Sequence, residues 1–187
     1  EGSSVIVVDD LSTGCRNRLP EEVIFYRADF ADPNTLNHIY QRYSIACIMH
    51  FAAFTSVDES LRCPTKYYHN NLVKSIQLLD QLCSLGCEYF IFSSTAAIYG
   101  SVGCDPVNEQ HSISPQTPYG QTKAMFENVL KDYSKVYPLK YTSMRYFNAC
   151  GIGKVRNFNQ FCSGVTHLIP SVIKVATGER KLFRLFG

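Results

Sequence analysis

Five short apolar runs, at 5–8, 23–26, 45–51, 89–92 and 141–146, each end in a polar or small-residue turn. They read as strands, and they are continuously apolar instead of alternating with polar residues. Strands of that kind are buried on both faces, as in a parallel sheet packed between helices. The intervening segments carry helical signals. Asp32-Pro33 opens one helix, with Asp32 as N-cap and Pro33 in the first helical position. A second covers 64–85, where Leu72, Ile76, Leu79 and Leu82 keep the helical period and Gly86 stops it. A third runs from Pro118 to about Val136, and a last one covers 168–178. The alternation predicts an α/β fold with a doubly wound parallel sheet. Such sheets bind ligands at the carboxyl ends of their strands. Asp9, Asp29, residues 51–53, 93–95 and 146–148 all fall there, so five turns are expected to converge on one crevice.

Composition narrows the function classes. The 187 residues carry a formal charge of +2 with no block of Lys or Arg, which gives nucleic acid no electrostatic footprint. No apolar run reaches the length of a membrane span. The eight cysteines form no C-x-x-C pair, so no zinc or other metal site is expected. Cys83 and Cys87 lie one helical turn apart in an apolar segment and read as small buried hydrophobes. A core of this size needs no disulfides, which points to reduced thiols and a cytoplasmic setting.

Three sets of residues carry candidate chemistry. Asp9 follows the first strand, where an acid can accept hydrogen bonds from an adenosine ribose and repel a 2′-phosphate. Tyr119 and Lys123 stand i, i+4 on the helix from Pro118 and share a face. An ammonium beside a phenol favours the phenolate, so the phenol is expected to titrate below about 10 and act as a base. Thr95 closes the fourth strand, where its hydroxyl can share a proton with that phenol. Each also has a plain structural reading. Asp9 can be a capped turn, Tyr119 and Lys123 can be neighbours on a surface, and Thr95 can satisfy its own turn.

The ordered set is more specific than its parts. It comprises Phe51-Ala52-Ala53, Asn70-Asn71, Ser93-Ser94-Thr95-Ala96-Ala97-Ile98-Tyr99-Gly100, Pro118-Tyr119-Gly120-Gln121-Thr122-Lys123 and Arg145-Tyr146-Phe147-Asn148. With these motifs the chain resembles the extended short-chain dehydrogenase/reductase family across nearly all of its length. Thr166 to Pro170 and the Phe186-Gly187 ending narrow the resemblance to the UDP-glucose 4-epimerase branch. The resemblance implies a Rossmann-like NAD-binding domain over 1–148 and the start of a smaller substrate domain over 149–187. It implies Tyr119 as catalytic base, Lys123 as its partner on the nicotinamide ribose, and Thr95 as the third member. Asp9 and Asp10 would face the adenosine ribose, and Asp29 with Phe30 the adenine. Phe51, Ala52, Ala53, Thr55, Asn70, Tyr146 and Phe147 would line the NAD. Asn148, His167, Leu168 and Phe186 would lie on the side of the UDP-sugar. The helices 64–85 and 118–136 would pair in a homodimer.

The chain departs from the branch in three places. The first strand and its glycine-rich pyrophosphate loop are expected to be missing, since a strand starts four residues after Glu1. Thr55 stands where relatives often place a lysine, and the 151–164 stretch lacks the acidic Gly-Glu pattern expected before Thr166. Two other readings stay open within the fold. One is an epimerase for another UDP-sugar; the other is a 4,6-dehydratase, for which Ala96 and Ala97 supply no acid. A reading of another class is an inactive fragment or an NAD-binding module.

Overall fold

The computed structural model describes residues 2–103, 106–149 and 168–183. Five strands form: β1 (Ile6–Val8), β2 (Ile24–Tyr26), β3 (Ile48–His50), β4 (Tyr89–Thr95) and β5 (Lys140–Tyr146). All described pairings are parallel. β1 pairs with β2, with Val7 opposite Phe25. A second sheet has the order β3–β4–β5, with Met49 opposite Ile91 and Ile91 opposite Thr142. No pairing joins β1 to β3 among the described residues, so the sheet stands in two pieces. β4 runs three residues beyond the expected 89–92, because β5 pairs with it along its whole length as far as Thr95 and Tyr146. That extension carries Thr95 into the sheet.

The helices are α1 (Pro33–Arg42), α2 (Val57–Arg62), α3 (Pro64–Tyr67), α4 (Lys74–Ser84), α5 (Pro118–Val136) and α6 (Leu168–Ala176). Asp32 caps α1 as expected, its carboxylate accepting from Thr35 N at 2.9 Å. α2 has no counterpart among the helices expected from the sequence; its start is set by Ser56 accepting from Glu59 N at 3.2 Å. The expected helix over 64–85 is present but is not uniform. Between α3 and α4 the residues Tyr68–Val73 form a π-helical stretch. A π turn takes an extra residue and rotates the turns after it. Periodicity of apolar residues alone does not register it, because Leu72 and Ile76 stay on a helical spacing.

Phe90 and Phe92 of β4, Leu78, Leu79 and Leu82 of α4, and Phe126 and Leu130 of α5 make the main core. Phe92 and Phe126 meet edge to face with ring centroids 4.8 Å apart. The strands therefore bury this face against α4 and α5. Cover on the opposite face, which carries Met49 and Met144, is not complete among the described residues, and both side chains are exposed.

Candidate active site

Thr95 sits at the carboxyl end of β4 and is buried. Its Oγ1 accepts from Ala97 N at 3.2 Å and so starts the 3-10 turn Ala96–Ile98. α5 begins beside this turn. Thr117 is its N-cap, accepting from Gly120 N at 3.2 Å, and Pro118 takes the first helical position. Gly120 explains the close approach. A Cβ there would meet the Ala97 carbonyl oxygen at 2.7 Å, inside any real contact distance. The glycine thus lets the first turn of α5 lie directly on the turn after Thr95.

This packing brings Thr95, Tyr119 and Lys123 together, all buried. The Thr95 hydroxyl is close enough to the Tyr119 phenol to draw its pKa down. Lys123 Nζ donates to Ser93 O at 2.8 Å and lies 4.8 Å from the Phe92 ring centroid. One expectation fails here. The phenol does not fall below its ordinary value; burial pushes it up, and the nearby Thr95 hydroxyl offsets that only in part. Burial also lowers Lys123 to about 8, and its described hydrogen bond runs to Ser93 O. Helical spacing alone leaves both side chains solvated, and desolvation reverses the sign of the shift.

A small cleft of about 50 Å³ lies at the carboxyl ends of β1 and β3. Asp9, Asp10, Phe30, Ala52, Ala53 and Asn70 line it, grouped as the sequence leads one to expect, together with Ser12, Thr13 and Phe54. Asp9 Oδ1 accepts from Leu11 N at 2.7 Å, within a turn where Leu11 takes a φ of 61°. That conformation is costly for a bulky residue and fixes how the turn wraps the carboxylate. Hydrogen bonds from Ser12 hold Asp10 below the usual carboxylate range.

Other expected site residues stand apart. Asp29 is half-buried beside the cleft and pairs with Lys74. Phe51 and Thr55 are exposed. Tyr146 and Phe147 line a different cavity of about 450 Å³, with Tyr99, Asn108, Glu109 and Arg145. Asn148 is exposed at the end of β5. Leu168 begins α6. His167 and Phe186 lie outside the described residues.

Three supporting groups are not evident from the sequence. Buried Asn71 holds the backbone of Phe54 at both ends, donating to its carbonyl at 2.8 Å and accepting from its N–H at 2.9 Å. An Asn inside an apolar helical stretch is the one signal of it. His50, at the end of β3, bonds Ser75 Oγ at 2.9 Å and sits among Phe30, Phe90, Phe92 and Phe126. Burial first, and the Lys123 charge second, lower it to about 3. Arg145 grips Glu127 through two bonds, at 2.7 and 3.2 Å, and donates to Tyr99 Oη at 2.8 Å. Ser94 Oγ donates to the same Glu127. Nothing in the spacing of Ser94, Glu127 and Arg145 announces that link.

The chain is similar to known proteins. The model of the NAD dependent epimerase/dehydratase family matches residues 1–186. The UDP-glucose 4-epimerase of Lactobacillus helveticus is 37% identical over 187 residues, covering 100% of this chain and 57% of the relative. That of Streptococcus mutans is 36% identical, covering 98% and 55%. The chain thus spans just over half the length of these curated relatives. A UDP-glucose 4-epimerase from Brucella ovis, solved in complex with NAD, superposes with a TM-score of 0.89 at 35% identity, over 97% of this chain and 56% of that one. A UDP-glucose 4-epimerase from Thermotoga maritima, solved with UDP-glucose, gives 0.75 at 37% identity, over 80% and 49%. The parallel α/β architecture is therefore Rossmann-like, and the chain belongs to the NAD dependent epimerase/dehydratase family.

Proposed function

We infer that the chain carries the cofactor-binding and catalytic part of a UDP-glucose 4-epimerase, an NAD-dependent isomerase that interconverts UDP-glucose and UDP-galactose. The observation that carries this reading is the buried cluster of Thr95, Tyr119 and Lys123 where β4 meets the first turn of α5. The residues fit NAD. The cleft offers an apolar wall in Phe30, small residues in Ala52 and Ala53, and acceptors in Asp9 and Asp10 for ribose hydroxyls. Lys123 has three ammonium donors and gives one to Ser93 O, leaving others for a ribose.

Bound NAD supplies a site that accepts a hydride from the sugar and returns it. The chain's own residues handle the proton and the orientation. Tyr119 in its phenolate form takes the proton from the sugar 4-hydroxyl, and Thr95, which draws the phenol back down against the effect of burial, relays that proton. The proton returns along the same path after the 4-keto sugar has turned over. Firm binding of the UDP and loose binding of the sugar allow that turn. Asn148, His167, Leu168 and Phe186 are assigned to the nucleotide-sugar side, the last three in a substrate domain starting at 149. Asp29, Phe51, Thr55, Tyr146 and Phe147 are assigned to the outer parts of the NAD site.

Other UDP-sugars remain a reading on the same site. A 4,6-dehydratase is disfavoured, because the turn after Thr95 presents Ala96 and Ala97, which carry no proton. A homodimer through the face of α3, α4 and α5 is part of the proposal, as is a cytoplasmic location. The free thiols of Cys15, Cys47, Cys63, Cys83 and Cys87 support the latter. No helix among the described residues is long and apolar enough to cross a membrane. The test is Tyr119→Phe in the full chain, assayed with UDP-galactose. Turnover is expected to fall by about 10²–10⁴-fold or more, with NAD still bound by fluorescence. Undiminished turnover would remove Tyr119 from the mechanism.

A further inference from the structure

Lys74 opens α4 and leans over the loop after β2. Its ammonium pairs with Asp29 Oδ2 and sits 5.6 Å from the centroid of the Phe30 ring. Phe30 is a wall of the cleft that Asp9 and Asp10 also line. The ammonium is thus one aromatic ring away from the adenosine end. Its field reaches Asp10, where it adds to the larger effect of the Ser12 hydrogen bonds. The Asp29 carboxylate is held for this contact, since its Oδ1 accepts from Ala31 N at 3.0 Å. Two turns further along the same face of the helix, Gln81 Nε2 donates to Ala31 O at 3.1 Å. The helix therefore holds the 29–31 loop at two points.

An ion pair this exposed contributes little to stability. Its consequence lies in where charge is placed. Asp9 and Asp10 face the cleft directly, and Asp29 stands beside it. Without Lys74, three carboxylates would meet a ligand that is itself an anion. With Lys74 paired to Asp29, that third charge is cancelled, and the rejection of further negative charge is left to Asp9 and Asp10.

We propose that Lys74 is a specificity-determining residue of the cofactor cleft, whose ammonium moderates the rejection of a 2′-phosphorylated adenosine and is restrained from accepting one by Asp29. This rests on the reading of the cleft as the adenosine site of NAD. A 2′-phosphate brings about −1.5 to −2 charges, so it responds to Lys74 more strongly than an unphosphorylated ribose does. Asp29 is the restraint because a paired ammonium has little field left to offer.

The test uses binding alone, by calorimetric titration of the full chain at low ionic strength. The probes are adenosine 5′-monophosphate and adenosine 2′,5′-bisphosphate, and the readout is the ratio of their dissociation constants within each variant. The parent should prefer the monophosphate. Lys74→Gln should widen that preference by about fivefold, and Asp29→Asn should narrow it by a similar factor. The Lys74→Gln effect should be larger in the Asp29→Asn background, where the ammonium is unpaired. Lys74→Arg keeps the charge and should keep the parent ratio. High salt should shrink every change. A ratio untouched by Lys74→Gln in both backgrounds would overturn the proposal while monophosphate binding left the cofactor reading intact. Failure of the parent to bind either probe would overturn that reading, and the proposal with it.

Discussion

Two buried bases, His50 and Lys123, both lie against the Phe92 ring, and burial acts on both. His50 is held at about 3 against an ordinary 6.5. Between these values the unfolded chain binds a proton that the folded chain refuses, so stability falls as pH drops through this window. His50→Gln keeps a polar partner for Ser75 and removes the titration. It should flatten the pH dependence of urea unfolding over the same interval; an unchanged slope would place the acid sensitivity in other groups. Lys123 is lowered to about 8 from 10.5. At neutral pH its charge is carried at the cost of desolvation, and this penalty eases only as pH rises above about 8. Lys123→Met should therefore raise stability at pH 7 by about 1–3 kcal/mol in thermal or urea unfolding, while the proposed turnover of UDP-galactose should be lost. A variant that is less stable as well as inactive would show that the ammonium is well compensated in the fold.

At the scale of elements, α5 is tied to the sheet by polar links as well as by Phe126 and Leu130. Glu127 receives Arg145 from β5 and Ser94 from β4, with both charged side chains largely buried. Glu127→Ala leaves Arg145 without its carboxylate and should cost about 3–5 kcal/mol by urea unfolding. A cost below about 1 kcal/mol would mark the pair as a surface-like contact. The starts of α1 and α5 were legible in the sequence because Asp32-Pro33 and Pro118 are local start signals, each acting within one turn. The π-helical stretch was not; Asn71 within it is tied to the Phe54 backbone, a contact 17 residues away that local spacing does not announce. Asn71→Ala should loosen the 51–56 loop, costing about 1–3 kcal/mol and weakening NAD binding by calorimetry. NAD binding as tight as the parent's would separate this clamp from the cofactor site.

Over the whole molecule, the main sheet is knit by seven-residue pairing of β4 with β5, whereas β1 and β2 share only three paired residues. Hydrogen exchange should be slowest in β4 and fastest among strands in β1 and β2; equal protection would mean that both pieces open as one unit. The grouping of Asp9, Ala52 and Ala53 was legible, because strand ends in a parallel sheet share one side, whereas Phe30 and Asn70 were placed beside them only by the family resemblance. The separation of Tyr146 and Phe147 into another cavity was not, because it depends on how the loop with Val107 and Glu109 packs against β5. The bareness of the face with Met49 and Met144 was hidden for a similar reason, since an apolar run states what needs cover and not what supplies it. Among the described residues, Met49 and Met144 are exposed on that face, and β1 and β3 each have one edge with no strand paired to it. An apolar plane beside unpaired strand edges favours contact between molecules, so Met49→Lys should lower light scattering from concentrated solutions; scattering unchanged by the substitution would place self-association elsewhere.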